Sequence, residues 1–359
     1  MQPPFRLYGA EHSAFSQKLL TYLRYKGFDH TYIPRTADNA AEFARLARLP
    51  LIPLLVEADG RTAQDSTQIM ERLDAAHPAP TARPDETALG FIACLLEDWA
   101  DEWLNKISLH YRWADENDRI AAAQASVAAV YPNGAPEGAA EVIAARMAAK
   151  LPVAGAGLDN AAALEAAFKE AVALLDAHLL TRQFLLGGLP CGADFALAAQ
   201  LNQLQKDARS AAILREATWL AAYAARMQAP APAEGADYET LESLEPTLAP
   251  LLTRQIGAIY LPFAEANAQA HAAGGSIALE ILGHAFAQGP QRYAGRAFQE
   301  LRRKRAQIME AEALTALLAA TGCDQALQMP VNAAGSSAAS DRDGDDDAGS
   351  GDDDDQDQD

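Results

Sequence analysis

The chain has 359 residues, half of them hydrophobic, and carries a formal net charge of −20. This acidic balance argues against a nucleic-acid-binding surface, which needs an excess of Lys and Arg, and no apolar run approaches the ~20 residues of a membrane helix. Because Cys94, Cys191 and Cys323 match neither a disulfide framework nor a metal-ligand spacing, we expect a cytoplasmic protein without a metal, a membrane or a nucleic-acid partner.

The first 80 residues alternate between strand and helix patterns. Short apolar runs predict strands at 5–9, 29–34 and 51–57, and the turn Asp59–Gly60 predicts a hairpin partner for the last of them. Helical spacing predicts helices at 13–26, 40–48 and 65–76. The resulting order, β-α-β-α-β-β-α, predicts an α/β domain over residues 4–78.

Helix-favouring sequence follows the proline-rich linker 77–84. Abundant Ala and few β-branched residues predict an all-helical domain over 85–228, and a second linker, 229–236, precedes an extension of further helices over 237–329. Residues 331–359 contain eleven Asp and almost no apolar side chains. Such a segment cannot offset its ordering entropy, and we expect a disordered acidic tail.

The helix predicted over 86–113 contains a group of four acidic residues. Their positions fall on two sides of the helix, and no His lies at a metal-ligand spacing from them. A solvated helix face is the interpretation that these residues favour. The members of the group are Glu97, Asp98, Asp101 and Glu102.

Four positions in the first 80 residues carry a resemblance to a known family. Ser13 stands at the start of the first predicted helix, Pro53 directly precedes a strand, and Asp65–Ser66 opens the third helix. With these spacings, residues 4–228 resemble the cytosolic glutathione S-transferase superfamily. The resemblance implies a thioredoxin-like domain that binds glutathione, followed by an all-helical domain and, in this chain, by the extension.

The second domain carries a weaker motif of the same superfamily, at Cys191–Asp194. In relatives a Ser or Thr caps a buried helix here, and an Asp three residues later reaches back to the N-cap N–H. Cys191 replaces the Ser or Thr, whereas Asp194 is retained. The departure concerns how the helix is capped more than what the protein does.

The resemblance also implies roles for the residues of the first domain. Ile52, before a cis bond to Pro53, would offer its N–H and C=O to the cysteinyl part of glutathione. Asp65 and Ser66 would hold the γ-glutamyl end, because a carboxylate attracts an ammonium group and helix N–H groups attract a carboxylate. The alternatives are a plain proline kink and a bare helix N-cap.

The resemblance places the thiol-activating hydroxyl on Ser13. A hydroxyl that donates to the glutathione sulfur favours the thiolate, which is the nucleophile. The alternative for Ser13 is a role as an N-cap only. Tyr8 at the end of the first strand is the alternative donor, although such a tyrosine is more often a core residue. Trp103 and His110 are candidates for the pocket of the co-substrate, or else core residues of the long helix.

Taken together, the resemblance implies that the protein conjugates glutathione to a small electrophile and needs no metal. It also implies that the protein can form a homodimer. A non-catalytic binding or scaffold protein of the same fold is the alternative. A glutathione-dependent thiol reductase is a third hypothesis, and the lack of a Cys at position 13 counts against it.

Overall fold

The computed structural model describes residues 1–308 and 311–328. The predicted acidic tail, 331–359, lies outside these residues. The described part begins with a four-stranded sheet and three helices, which confirms the predicted order of elements. The strands are β1 (Phe5–Gly9), β2 (His30–Pro34), β3 (Leu54–Val56) and β4 (Thr62–Gln64), and the helices are α1 (Ala14–Tyr25), α2 (Ala40–Leu46) and α3 (Ser66–Ala76).

The sheet has the strand order β2-β1-β3-β4, with β1 parallel to β2 and the other pairs antiparallel. Successive residues of a strand point to opposite faces. Leu7 accordingly joins the core beneath α1 and α3, whereas Tyr8 packs against Phe43 of α2 on the other face. The first domain is therefore a three-layered thioredoxin-like module.

The second domain is helical throughout. Its longest helix is continuous from Thr87 to Trp113 but contains a π-helical segment, Ala100–Leu104, between α4 (Thr87–Trp99) and α5 (Asn105–Trp113). The other helices are α6 (Glu116–Val130), α7 (Ala139–Ala154), α8 (Ala161–Leu179), α9 (Gly192–Leu204), α10 (Ala208–Glu216) and α11 (Thr218–Arg226).

Asp194 stabilises the start of α9 as predicted. Its fully buried carboxylate accepts hydrogen bonds from the Cys191 N–H at 2.9 Å, the Leu185 N–H at 2.8 Å and the Tyr223 hydroxyl at 3.0 Å. A buried carboxylate needs such partners to offset its desolvation. Asp194 thereby joins α9, the preceding loop and α11.

The extension is not entirely helical, which corrects the prediction for 237–329. It contains α12 (Leu241–Leu251), a π-helical segment (Leu252–Tyr260), α13 (Leu261–Ala273), strands β5 (Ile277–Ile281) and β6 (His284–Gln288), α14 (Arg292–Ala306), α15 (Glu312–Ala320) and α16 (Asp324–Leu327). The two strands form an antiparallel hairpin whose turn residues, Leu282 and Gly283, have φ angles of 50° and 80°. Positive φ at both turn positions matches the right-handed twist of a hairpin.

The extension shares one hydrophobic core with the helical domain. Trp103, in the π-helical segment of the long helix, is fully buried between Phe263 of α13 and Phe286 of β6, with ring centroids 5.4 and 5.5 Å away. Lys304 of α14 forms an ion pair with Glu71 of α3. The extension is thus packed against both preceding domains.

Candidate functional site

Three segments singled out in the sequence meet at one edge of the sheet. The register pairs Tyr8 of β1 with Leu54 of β3, and Leu54 in turn with Gln64 of β4. Ser13 follows the end of β1, Pro53 immediately precedes β3, and Asp65–Ser66 immediately follows β4. The pairing therefore brings a hydroxyl, a backbone turn and a carboxylate to neighbouring positions.

Ser13 is the N-cap of α1. Its Oγ accepts a hydrogen bond from the Ser16 N–H at 3.3 Å, and its side chain is partly exposed. A capping hydroxyl uses a lone pair, and its own proton stays available for another acceptor. Capping the helix and donating to a ligand are thus compatible roles for this residue.

The bond between Ile52 and Pro53 is cis, as predicted. Ile52 lies outside β3, and none of the backbone hydrogen bonds formed by the described loops and turns involves it. Its N–H and C=O groups can therefore meet a ligand at this edge.

Gln64 holds the loop before the cis bond, a role that was not predicted from the sequence. Its Nε2 donates to the carbonyls of Leu49 and Leu51 at 2.8 and 2.7 Å, and its Oε1 accepts from the N–H groups of Arg48 and Leu49. One side-chain amide thus replaces a short stretch of backbone pairing. The signal in the sequence for this role was that Gln64 stands directly before Asp65, a predicted site residue.

Asp65 is the N-cap of α3 and has a φ of 77°. Non-glycine residues in this region cost about 1–3 kcal/mol and cluster at ligand sites. Its Oδ1 accepts from the Gln68 N–H at 3.2 Å, and its Oδ2 accepts from the Gln68 side chain at 3.1 Å and from the Tyr293 hydroxyl of α14 at 2.9 Å. Ser66 beside it is buried. The carboxylate remains partly exposed.

The loop between β1 and Ser13 is held by the helical domain. Gln203, in the last turn of α9, and Lys206, just beyond that helix, donate to the Glu11 carbonyl at 3.1 and 2.8 Å. Arg112 of α5 lies 3.4 Å from the His12 ring. Burial, followed by the charge of Arg112, lowers the pKa of His12 to about 4. His12 is therefore neutral at pH 7 and adds no charge beside Ser13.

Models of two protein domains match this chain. Residues 7–81 match the glutathione S-transferase N-terminal domain, and residues 140–226 match the glutathione S-transferase C-terminal domain. The chain belongs to the glutathione S-transferase superfamily. The extension beyond residue 226 lies outside both matches, as do residues 82–139.

Solved structures similar to this chain include several glutathione S-transferases. One is from Methylobacterium radiotolerans in complex with glutathione sulfonate, with 20% identity, a TM-score of 0.43 and coverage of 66% of this chain and 96% of that chain. Another is from Rhodospirillum rubrum F11, with 20% identity, a TM-score of 0.43 and coverage of 71% and 95%. A β-etherase from Sphingobium sp. strain SYK-6 has 20% identity, a TM-score of 0.48 and coverage of 63% and 96%.

A comparison with curated proteins found no significant match to this chain. In the part of the chain that the structure describes, none of the helices has the length and apolar character needed to cross a membrane.

Tyr8, the alternative donor, faces away from Ser13. Its buried ring packs against Phe43 under the sheet, and its hydroxyl accepts from Arg6 at 3.2 Å. Burial, followed by a hydrogen bond with Glu42, raises the pKa of Tyr8. Tyr8 therefore belongs to the α2 side of the sheet.

Trp103 and His110 do not line an open pocket. Both are fully buried. Trp103 packs against the extension, and the His110 ring lies 3.2 Å from the Ala156 carbonyl and 3.4 Å from the Glu165 carboxylate. The sequence reading could not anticipate this burial, because the covering elements α8 and the extension lie more than 45 residues away along the chain.

The acidic group on the long helix is not a solvated face, so the interpretation favoured by the sequence was wrong. Lys18 of α1 is fully buried, and its Nζ lies 2.6 Å from Glu97 Oε1, 2.5 Å from Asp101 Oδ2 and 2.8 Å from the Thr67 hydroxyl. Burial alone would lower the pKa of Lys18, but the two carboxylates raise it above its ordinary value. This cluster joins the first domain to the second behind the candidate site.

Asp98 predicts a measurable pH dependence of stability. Burial raises the pKa of Asp98 to about 7, against the lowering effect of the hydrogen bond from Tyr260. A carboxyl whose pKa is raised by folding contributes stability below its unfolded pKa, near 4, and that stability is lost as pH rises through 7. We expect Asp98→Asn, which cannot ionise, to remove about 2 kcal/mol of the decline in unfolding free energy between about pH 5 and pH 8.

Denaturant unfolding of the wild type and of Asp98→Asn at several pH values measures this effect. Asp85→Asn, at an exposed position directly after the linker, is the matched control and is expected to keep the wild-type profile. Parallel pH profiles for the wild type and Asp98→Asn would contradict the prediction.

One groove in the described structure lies away from the candidate site. It has a volume of about 550 Å³ and lies between the N-terminal ends of α4 and α12. Glu86 and Thr240, which line it, already cap those two helices. None of the residues predicted to bind glutathione lines this groove.

Proposed function

We propose that the protein is a glutathione transferase that conjugates glutathione to a small electrophile. The observation that carries the proposal is the meeting of Ser13, the cis Ile52–Pro53 bond and Asp65–Ser66 at one edge of a thioredoxin-like sheet. These groups complement a thiol, a peptide backbone and a γ-glutamyl zwitterion, in that order. Glutathione carries all three.

Each part of the ligand has a physical reason to bind where it is proposed. The Ile52 N–H and C=O groups would pair with the backbone of the cysteinyl residue. The ligand's ammonium group would meet the Asp65 carboxylate, and its α-carboxylate would meet the N-terminal N–H groups of α3 beside Ser66, where the helix dipole favours negative charge. These contacts would direct the thiol towards the start of α1.

Ser13 would stabilise the thiolate. Its hydroxyl donates to the sulfur while its lone pair still caps α1, and the positive end of the helix dipole acts in the same direction. The thiolate then forms a carbon–sulfur bond to the electrophile, whose leaving group departs with its bonding electrons. The thiol proton passes to solvent.

The reductase alternative lacks a thiol at this position. Cys191 and Cys323 are buried, and burial raises the pKa of Cys94 to about 11. A cysteine of raised pKa is a poor nucleophile at neutral pH. The non-catalytic alternative is separated from an enzyme by the Ser13 variant described in the Discussion.

A thermal shift on adding glutathione tests the binding step. At a ligand concentration about 100 times the dissociation constant, binding stabilises the folded protein by roughly 2.7 kcal/mol. We expect the wild type to show the corresponding rise in melting temperature, and the double variant Asp65→Ala with Ser66→Ala to lose it. Differential scanning calorimetry with and without millimolar glutathione provides the measurement.

A control separates loss of the ligand contact from loss of a helix cap. Asp115→Ala removes the N-cap of α6, whose carboxylate accepts from the Asn117 and Asp118 N–H groups. This variant should melt lower but keep the full shift with glutathione. Absence of any shift in the wild type would refute the proposed function.

A further inference from the structure

The extension reaches the candidate site through Tyr293. This residue lies in the first turn of α14, and its hydroxyl donates to Asp65 Oδ2 at 2.9 Å across 228 positions of the chain. Lys304, further along the same helix, forms an ion pair with Glu71 of α3. Two contacts, one near each end of α14, thus hold this helix against α3.

The Tyr293 hydroxyl has unused capacity to accept hydrogen bonds. Its single proton is directed to Asp65, whereas a hydroxyl oxygen also has two lone pairs. Partial desolvation of the hydroxyl by neighbouring protein atoms, followed by the negative charges of Asp65, Glu102 and Asp101, raises the pKa of Tyr293. The hydroxyl therefore keeps its proton at neutral pH although the residue is exposed. A cationic donor beside Asp65 would find an acceptor on Tyr293 as well.

Access to this pair of acceptors is open. The Tyr293 side chain is 53% exposed and Asp65 is partly exposed, so a ligand can approach both from solvent. Asp65 Oδ1 has only the Gln68 N–H as a donor, whereas Oδ2 has two donors. A carboxylate provides about four lone-pair positions, and one therefore remains for a ligand.

We propose that Tyr293 binds the ammonium group of the γ-glutamyl residue together with Asp65. The inference rests on the proposed function and extends it, because it assigns a ligand contact to the extension. The ammonium group would donate one proton to the Asp65 carboxylate and another to the Tyr293 oxygen. The pair then selects ligands with a free amino group, since an acylated nitrogen has no positive charge and fewer protons to donate.

Binding of glutathione and of its N-acetyl derivative, acylated on the γ-glutamyl nitrogen, tests this pair. Isothermal titration calorimetry would compare the wild type with Tyr293→Phe, which keeps the ring and loses the hydroxyl. Loss of a hydrogen bond to a charged group predicts about ten- to 100-fold weaker binding of glutathione. Binding of the N-acetyl derivative should be weaker in the wild type and should not change further in the variant.

Tyr238→Phe is the matched control. It also removes a tyrosine hydroxyl from the extension, one that donates to the Pro190 carbonyl at 3.0 Å away from the candidate site. This variant is expected to bind glutathione as the wild type does. Melting curves of the two variants without ligand are expected to show that both are folded.

The outcomes distinguish this inference from the proposed function. A wild type that does not bind glutathione overturns both. Normal binding by the wild type with unchanged binding by Tyr293→Phe overturns the role of Tyr293 alone. Tighter binding by Tyr293→Phe also overturns it and identifies Tyr293 as a competitor of the ligand for Asp65.

Discussion

Replacing Lys18 with Met is expected to lower the free energy of unfolding by about 3 to 5 kcal/mol, because the change leaves buried carboxylates without their cation. In the wild type, Lys18 bridges Glu97 and Asp101 at 2.6 and 2.5 Å in a region closed to solvent. Met has a similar length but cannot compensate either charge. Denaturant unfolding monitored by circular dichroism measures the loss.

Two further variants test the cause of this loss. Lys169→Met, at an exposed position of α8, is the matched control and should change the unfolding free energy by less than about 0.5 kcal/mol. Adding Glu97→Gln and Asp101→Asn to Lys18→Met should restore much of the stability, because the unpaired charges are removed. A loss below about 1 kcal/mol in Lys18→Met would show that the cluster is not an essential interdomain contact.

Replacing Ser13 with Ala is expected to reduce the conjugation rate about 100-fold while the affinity for glutathione changes little. The estimate follows from a thiol pKa held about two units below its free value, which corresponds to about 2.7 kcal/mol. Without the hydroxyl, the bound thiol should ionise at higher pH. The measurements are the pH profile of kcat/KM with a chromogenic electrophile and the ultraviolet absorbance of the bound thiolate.

Helix capping must be separated from thiolate stabilisation in this experiment. Ser13→Ala also removes the N-cap of α1, which costs about 1 kcal/mol of stability. Ser13→Thr keeps a hydroxyl and should retain most of the rate. Thr240→Ala removes a similar cap from α12 and should leave the rate unchanged. Full activity in Ser13→Ala would exclude the proposed role, and an inactive wild type that binds glutathione would favour the non-catalytic alternative.

The features that local sequence determines were predictable. Alternation of apolar runs with helical spacing predicted the order of elements in the first domain, and the resemblance at Pro53 implied the cis bond before β3. Asp194 was also expected to reach its own N-cap, three residues away. In each case the interacting groups lie within a few residues, so the pattern contains the whole interaction.

Features that depend on distant partners were not predictable in this way. The burial of Glu97 and Asp101 depends on Lys18, about 80 residues upstream. When the sequence does not reveal this distant cation, acidic residues on a helix predict a solvent-exposed face. Tyr293 meets Asp65 across 228 residues. The hairpin β5–β6 had a period-two pattern, but its turn begins with Leu282 rather than the usual Asn or Asp.

The π-helical segment Ala100–Leu104 sets the angular relation between the two halves of the central helix. A π-helical turn accommodates one residue more than an α-helical turn, and one residue corresponds to about 100° of rotation about the helix axis. Upstream of the segment, Glu97 points to Lys18, and downstream of it, Arg112 reaches His12, next to Ser13. A deletion that converted the segment to regular α-helix would turn Arg112 away from that loop. The candidate site therefore depends on the number of residues in a helix that supplies none of its proposed ligand contacts.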